Sequence, residues 1–469
     1  MFRFLTMISL WVVAAWHRLR VLDEAIVSSD SLGPYLQAQS ALFGHLPRPP
    51  NPESGDALWI TAVPLVAAAS SVTELLQSRF ILGGLVAPIG FAAAYHWTDP
   101  QASTARRWAG ACAAGLFLAF DPGLLDSLVS GARSYGAPEF IGIMTLGVAL
   151  SLRSHPWAPA LAFGALIAAT GHHPLALGFG LGILPLLPAM HRAVGGRRLR
   201  QGLMLGALVA LPRLIRVGLL ANCGEGISAC LSKVAHSNVE EPVPWISLAT
   251  TAIHDRGLGD LASGAWVVLA GLVAVLLCRV SAHRKAGQFA LAGAIGLMLI
   301  GLLTGYVRSY HLRIVAVPFA VAAGIGLARL WPLALLGAVA FVAQTHHRLP
   351  VGPDQGAVAR HDQVAAKLPA SPLWVDRVWW DGPPTLDPSA VVLSGWLAGR
   401  RDFRLGPDVP FILLQVRESL PEGQILELKD AQDARRWLSA QDSLPHQRGG
   451  AYDWATISDP QIRLEDARW

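Results

Sequence analysis

Long, nearly uninterrupted apolar runs recur along this chain of 469 residues. Several of them reach the roughly 17 to 25 residues that a helix needs to cross a bilayer. Charged residues make up only 15% of the chain, whereas soluble domains carry about 25%. Disordered chains lack such apolar content, and the strands of a transmembrane barrel alternate polar with apolar positions. The sequence therefore predicts a polytopic α-helical membrane protein.

Hydropathy predicts about eleven transmembrane helices, the first of which begins close to the N-terminus. The predicted spans are Phe4–Trp16, Ile81–Trp97, Trp108–Phe120, Phe140–Leu152, Trp157–Thr170, Pro174–Met190, Leu203–Leu220, Leu261–Leu277, Phe289–Val307, Ile314–Ala328 and Pro332–Ala343. A cleaved signal peptide is the alternative for the first apolar segment, because Ala14 and Ala15 are small residues of the kind found at cleavage sites.

Clusters of basic residues lie in short connections between these spans. If the N-terminus is cytoplasmic, the basic connections at 106–107, 192–200 and 279–285 all fall on the inner side, in agreement with the positive-inside rule. The net charge of +5 is therefore interpreted as a topology signal, and we expect no nucleic-acid partner.

The same topology places every long connection on the outer face. Outer loops at 30–80, 121–139 and 221–260 belong to a predicted transmembrane region of residues 1–345. Residues 346–469 follow as a predicted small soluble α/β domain, also on the outer side. Oxidising conditions there favour a local disulfide between Cys223 and Cys230, with two reduced thiols as the alternative.

The C-terminal region differs from the rest of the chain in its pattern. It contains more than half of the acidic residues, and its apolar runs are only of strand length. These runs begin at Leu373, Ala390 and Pro410, and they alternate with predicted helices at 355–367 and 430–440. Such alternation is typical of a layered α/β unit.

Charged side chains close to a membrane are costly, so their positions mark either topology or function. One set is not explained by the positive-inside rule, because each member lies at the outer end of a predicted span or in the loop beyond it. We expect these side chains to line one outer cavity. The set comprises Asp30, Asp121, Asp126, Arg133, His172, His173, Arg308, His311 and Arg313.

An acidic residue follows the first span in SSDSLGPYLQAQSALFGH, a second polar loop follows the third span in DPGLLDSLVSGARSYGAPEF, and a soluble region ends the chain. This arrangement resembles the GT-C superfamily of polyprenyl-phosphate-sugar-dependent membrane glycosyltransferases, and protein mannosyltransferases in particular. The resemblance implies a multi-pass enzyme of the bacterial inner membrane, with a cytoplasmic N-terminus and a periplasmic C-terminal domain. It also implies inverting transfer of a hexosyl group from a polyprenyl-phosphate donor in the membrane lipid to an acceptor outside the cytoplasm.

The resemblance further assigns roles to acidic residues. The acidic residue of the first outer loop, Asp30, is the implied catalytic residue, and Asp121 or Asp126 matches a second acidic position or a ligand of a divalent cation such as Mg or Mn. Several members of the superfamily carry two adjacent acidic residues in the first loop, whereas Asp30 stands between Ser29 and Ser31.

Two further groups complete the predicted site. Cationic donors stabilise a leaving phosphate, and arginine suits this task because its planar fork holds two oxygens at once. The predicted phosphate-binding residues are Arg308, His311 and Arg313. The predicted substrate-binding residues are Arg133, Tyr135, His172 and His173. An amphipathic segment at 58–76 is expected to form a wall beside the lipid tail of the donor.

Simpler interpretations stay open at this stage. Asp30 also fits the N-cap of a helix that starts near Leu32, and Asp121 before Pro122 is a common turn opening. The arginines near position 310 also fit snorkelling towards lipid headgroups, and residues 170–174 fit an ordinary turn with exposed imidazoles.

Two other functions also fit the sequence. One is a transporter, for which Arg213 and Arg216 are the intramembrane charges. The other is a non-catalytic subunit of an envelope assembly.

Overall fold

A computed structural model of the protein describes twelve segments of the chain. They are residues 1–25, 29–42, 56–129, 136–211, 265–304, 313–349, 357–367, 373–375, 388–399, 403–405, 426–428 and 455–457. Helices dominate these segments. Numbered along the described chain, they are α1 Phe2–Leu19, α2 Ser29–Leu42, α3 Asp56–Ala68, α4 Val72–Gly83, α5 Val86–Trp97, α6 Thr104–Ala119, α7 Pro122–Val129, α8 Ala137–Ser151, α9 Ala158–His172, α10 Phe179–Ile183, α11 Leu187–Val194, α12 Gly196–Ala207, α13 Ala265–Leu276, α14 Ser281–Thr304, α15 Ala316–Leu327, α16 Trp331–Thr345, α17 Ala357–Lys367 and α18 Pro388–Leu397.

Among the described residues, three helical segments are long and apolar enough to cross a membrane. They are Val72–Trp97 with 26 residues, Thr104–Asp126 with 23 and Leu175–Val194 with 20. Shorter apolar helices, among them α8, α9 and α16, lie between and beyond them. The predicted helical membrane protein is confirmed, whereas the number of eleven spans stays a prediction.

Small residues let these helices approach closely, which matters in a bilayer because apolar surface gains little from leaving lipid. A methyl group on Gly110 of α6 would lie 2.6 Å from the carbonyl oxygen of Gly324 on α15. In the reverse direction, a methyl group on Gly324 would lie 2.4 Å from the carbonyl oxygen of Gly110. Any side chain larger than hydrogen would therefore force these two helices apart.

Arginines gather at one end of the bundle. The guanidinium carbons of Arg3 and Arg107 each lie 4.2 Å from the ring centroid of Tyr95, and Arg153 donates to the carbonyl oxygen of His96 at 2.9 Å. In the topology predicted from the positive-inside rule this end faces the cytoplasm, and that orientation stays a prediction.

The opposite end carries the C-terminal ends of α1 and α6. Arg18 is buried there, and its guanidinium donates at 3.2 Å to the carbonyl oxygens of Ala14, Leu118 and Ala119. The two ends of the bundle therefore differ in charge and in contacts, and the cavity described below opens at the Arg18 end.

A second apolar core lies at this opposite end and joins distant parts of the chain. Its members come from α2, α3, α4 and α7 and from the C-terminal helices α17 and α18. Val358 and Ala365 of α17 and Leu393 and Trp396 of α18 are buried in it. The C-terminal helices therefore pack on the same core as the walls of the cavity.

One strand prediction in the C-terminal region is wrong. The run that begins at Ala390 lies in helix α18, which starts with Pro388. An apolar run of this length does not distinguish a buried helix from a buried strand, and proline is well tolerated in the first turn of a helix.

The other predictions for this region have mixed outcomes. The helix predicted at 355–367 is found as α17, and the run from Leu373 contains the strand β1 Leu373–Val375. This strand pairs in parallel with β2 Phe403–Leu405, and β3 Leu426–Leu428 pairs in parallel with β4 Ala455–Ile457. The run from Pro410 and the helix at 430–440 lie outside the described residues. A compact α/β domain over 346–469 stays a prediction.

Candidate functional site

A cavity of about 180 Å³ opens at the end of the bundle away from the arginine-rich end. Its walls come from α2, α3, α4, α8 and α9, so that five helices from the first 172 residues enclose it. Apolar side chains dominate the lining. The polar side chains that line it are Tyr35, Thr61, Arg79, Glu139 and His172.

An ion pair crosses this cavity. Nη1 of Arg79 on α4 donates to Oε1 of Glu139 on α8 at 2.8 Å, and the two side chains are only 10% and 16% exposed. Tyr35 on α2 lines the same cavity. Burial raises the pKa of Tyr35 above its ordinary value, so the phenol is neutral at pH 7. A buried charge needs such partners, because isolated charges are very costly away from water.

The local sequence explains the position of Glu139. Gly136 precedes α8 with a φ of 108°, a conformation that L side chains rarely adopt, and Pro138 lies in the first turn. Glu139 then lies in that first turn, where the helix dipole favours a carboxylate.

The second oxygen of Glu139 distinguishes this site chemically. Oε2 is buried and has no hydrogen-bond partner among the described residues. A buried acceptor without a hydrogen bond costs about 1 to 3 kcal/mol of stability, and a charged acceptor costs more. A hydroxyl or ammonium group of a ligand in the cavity would supply the missing donor.

Two histidines lie at the end of α9, and the interpretation of 170–174 as a turn with exposed imidazoles is wrong. Helix α9 continues through His172, and His172 and His173 are each 5% exposed. The ring of His172 packs on Phe140 at 4.9 Å between centroids, and its Nε2 lies 3.3 Å from Oγ1 of Thr61. Burial lowers the pKa of His173 to about 4, so its imidazole is neutral at pH 7.

The predicted catalytic residue Asp30 lies in the first turn of α2. This helix begins at Ser29 rather than near Leu32, so Asp30 is inside the helix and not at the predicted cap position. Its side chain lies outside the described part of the structure, and its catalytic role stays a prediction. Tyr35, one and a half turns further along α2, lines the cavity.

Asp121 and Asp126 have structural partners outside the cavity lining. Oδ1 of Asp121 accepts from the amide of Leu124 at 2.8 Å, so the turn interpretation describes its position at the start of α7. Asp126 forms an ion pair with Arg313. Within the described segments, no group of three or more histidine, cysteine or acidic residues is placed to hold a metal ion. A divalent cation stays a prediction.

Several predicted residues lie outside the described part of the chain. They are Arg133, Tyr135, Arg213, Arg216, Cys223, Cys230, Arg308 and His311. The segment predicted as one amphipathic wall at 58–76 is divided between α3 and α4, and Thr61, Ala62 and Leu65 of α3 line the cavity.

Sequence reasoning missed the ion pair at the centre of the site. Arg79 lies two residues before the predicted span at Ile81, and Glu139 lies directly before the span at Phe140. The cost of charges near a bilayer was therefore an available signal for both. Their pairing across 60 residues of sequence was not, because it depends on which helices become neighbours.

No known protein-family profile matches this chain, and no curated protein matches it by sequence. Among solved structures, it is similar to ArnT from Cupriavidus metallidurans bound to undecaprenyl phosphate, with a TM-score of 0.57 and 13% identity over 87% of this chain and 85% of that chain. The apo state of the same ArnT has a TM-score of 0.54 and 14% identity, covering 86% of each chain. ArnT is a GT-C glycosyltransferase. At this identity the likeness establishes a common fold and leaves individual residue roles open.

Proposed function

Because this chain has the GT-C fold, we propose that it is a membrane glycosyltransferase that takes a sugar from a polyprenyl-phosphate-linked donor and transfers it to an acceptor outside the cytoplasm. The supporting observation is the cavity with its buried Arg79–Glu139 pair, at the end of the bundle that the positive-inside rule places outside. The ArnT structure contains undecaprenyl phosphate, a ligand of the proposed donor class.

The size of the cavity suits the headgroup of such a donor. Pockets for drug-sized ligands measure roughly 300 to 1,000 Å³, so a cavity of about 180 Å³ matches a smaller polar group. The polyprenyl tail would then lie outside the cavity, along the apolar helices.

The polar lining offers complementary groups for a phosphate-linked sugar. Arg79 supplies a cation whose fork binds phosphate oxygens well. The free Oε2 of Glu139 accepts a hydrogen bond from a sugar hydroxyl. Further phosphate ligands in the proposal are Arg308, His311 and Arg313. Asp126 pairs with Arg313 and so neutralises part of its charge.

In the proposed reaction, the acceptor hydroxyl oxygen attacks the anomeric carbon while the bond between that carbon and the phosphate oxygen breaks. Asp30 takes the hydroxyl proton, and the polyprenyl phosphate leaves with the bonding electron pair. General-base assistance of this kind is typically worth about 10² to 10⁴ in rate. Attack on the face opposite the phosphate inverts the anomeric centre.

The first test is binding of undecaprenyl phosphate to the purified full-length protein by native mass spectrometry. We expect a one-to-one complex, and Arg79→Gln should weaken it more than Arg200→Gln, which changes an exposed arginine far from the cavity. Equal binding of undecaprenyl phosphate by both variants would show that the cavity is not its binding site. No binding to the wild type would refute the proposed donor class.

The second test uses vesicles that contain a labelled polyprenyl-phosphate sugar. Asp30→Asn should abolish release of the labelled sugar without lowering the amount of folded protein. The matched control is Asp23→Asn, which removes an exposed carboxylate from the short turn at 22–24. Full activity of the Asp30 variant would refute its role as the base.

A further inference from the structure

A carboxylate from the C-terminal region caps the helix that carries Arg79. Oδ1 of Asp362 on α17 accepts from the amide of Val72 at 2.9 Å, and Oδ2 accepts from the amide and the hydroxyl of Thr73 at 3.0 and 2.5 Å. Asp362 and these residues are separated by about 290 positions in sequence. The contact therefore ties the C-terminal region directly to the first turn of α4.

The local sequence of α4 leaves these two amides for Asp362. Ser71 is the N-cap, and its hydroxyl accepts only from the amide of Glu74. Glu74 itself accepts from the amide and the hydroxyl of Ser70, outside the helix. The first amides of a helix have no partner within it, so Asp362 satisfies two donors that the segment itself does not.

A second contact joins the same C-terminal helices to another wall of the cavity. Oγ of Ser394 on α18 donates to Oδ1 of Asp362 at 2.7 Å, which links α18 to α17. Helix α18 packs against α2, and Tyr35 of α2 shares the second apolar core with Trp396. Tyr35 lines the cavity together with Arg79.

Two paths therefore lead from Asp362 to the cavity lining. Along α4, Arg79 lies seven residues after Val72, two helical turns or about 10 Å away. Through α18 and α2, the path ends at Tyr35. Two walls of the cavity are held from the C-terminal side.

We propose that Asp362 is a positioning residue through which the C-terminal helices α17 and α18 hold the cavity in its binding geometry, so that docking of these helices and occupation of the cavity stabilise each other. Coupling of this kind is reciprocal, because each event raises the equilibrium constant of the other by the same factor. Only the identity of the ligand depends on the proposed function.

The test compares full-length wild type with Asp362→Ala, using two readouts that need no substrate. The first is hydrogen exchange of the α4 amides, which should become about tenfold faster, the factor that corresponds to the loss of one helix cap. The second is the rate at which phenylglyoxal modifies Arg79, measured by mass spectrometry, which should rise by a similar factor. Arg153, at the arginine-rich end, is the internal control and should react at its wild-type rate.

Glu74→Ala is the matched control variant. It also removes a carboxylate from the N-terminal end of α4, but one that is exposed and bonded only to its neighbour Ser70. Its Arg79 should react at the wild-type rate. Asp362→Asn keeps one oxygen acceptor and should restore most of the wild-type behaviour. If Asp362→Ala does not fold, Ser394→Ala removes a single donor to Asp362 and should give a smaller change in the same direction.

Reciprocity is tested with undecaprenyl phosphate as the probe. Its addition to the wild type should slow exchange in α17 and α18, and Asp362→Ala should remove that effect. Faster exchange in α4 with unchanged reactivity of Arg79 would overturn the proposal, because the cap would then be structural only. If the wild type binds no undecaprenyl phosphate, the proposed function fails, while the exchange and modification rates still decide the role of Asp362.

Discussion

Replacement of Glu139 by glutamine should destabilise the protein, because the positive charge of Arg79 then stays buried without its anionic partner. The substitution keeps the size of the side chain but removes the anion that neutralises Arg79, whose side chain is 10% exposed. Tyr35, which lines the same cavity, carries no charge at pH 7. The guanidinium thus stays in a site with little water and no counter-ion among the described residues.

The size of the effect follows from the geometry. Two unit charges 2.8 Å apart attract by about 6 kcal/mol at an effective dielectric constant of about 20. Most of this attraction offsets the cost of removing the two charges from water. Breaking a buried pair by removing one partner typically costs about 3 to 5 kcal/mol. Because both side chains keep some access to the cavity, we expect about 3 kcal/mol for Glu139→Gln and a similar value for Arg79→Gln. The double variant should also lose only about 3 kcal/mol, which leaves a coupling energy of about 3 kcal/mol.

The assay is the free energy of unfolding for wild type, both single variants and the double variant, in one detergent at one protein concentration. Glu74→Gln, an exposed carboxylate on the same helix α4, is the control and should change stability by less than about 0.5 kcal/mol. Additive losses in the double variant would refute the reasoning, because the two charges would then not stabilise each other.

Three further outcomes follow from buried groups at the same end of the bundle. Arg18→Met should lower the free energy of unfolding by about 3 kcal/mol, because the carbonyls of Leu118 and Ala119 lose a charged donor; an unchanged melting temperature would contradict this. Gly136→Ala should cost about 1 to 2 kcal/mol, measured by thermal unfolding, since φ is 108° there; a stabilised variant would exclude backbone strain. His173 has a pKa near 6.5 in the unfolded state and about 4 in the folded state, because it is buried. The free energy of unfolding should therefore fall by about 3 kcal/mol as the pH drops from 6.5 to about 4. His173→Phe should flatten this pH dependence, and an equally steep profile would show that other groups cause it.

The sequence predicted the class of fold from hydropathy, because a bilayer imposes apolar helices wherever the chain crosses it. Local patterns were less decisive where short apolar runs allow two structures. The run from Ala390 illustrates this limit, since its apolar residues are buried in helix α18 rather than in a strand. The fold that the resemblance implied is supported by the likeness to the solved ArnT structure.

The predicted site residues have different surroundings in the structure. His172 lines the cavity, and its predicted role in substrate binding stays a prediction. Asp121 caps the start of α7, and Asp126 pairs with Arg313. A carboxylate in a loop has the same sequence signature whether it caps a helix or faces a ligand. Burial and partners distinguish the two roles, and neither is a property of the local sequence.

By itself, the sequence determined that this protein enters a membrane as helices, since transfer free energies act on each residue where it stands. Only the tertiary structure decided that Arg79 meets Glu139 and that Asp362 caps α4. These contacts join positions 60 and 290 residues apart. They depend on which helices pack together. This packing requires close approach between small residues such as Gly110 and Gly324. No local sequence pattern specifies which small residues meet.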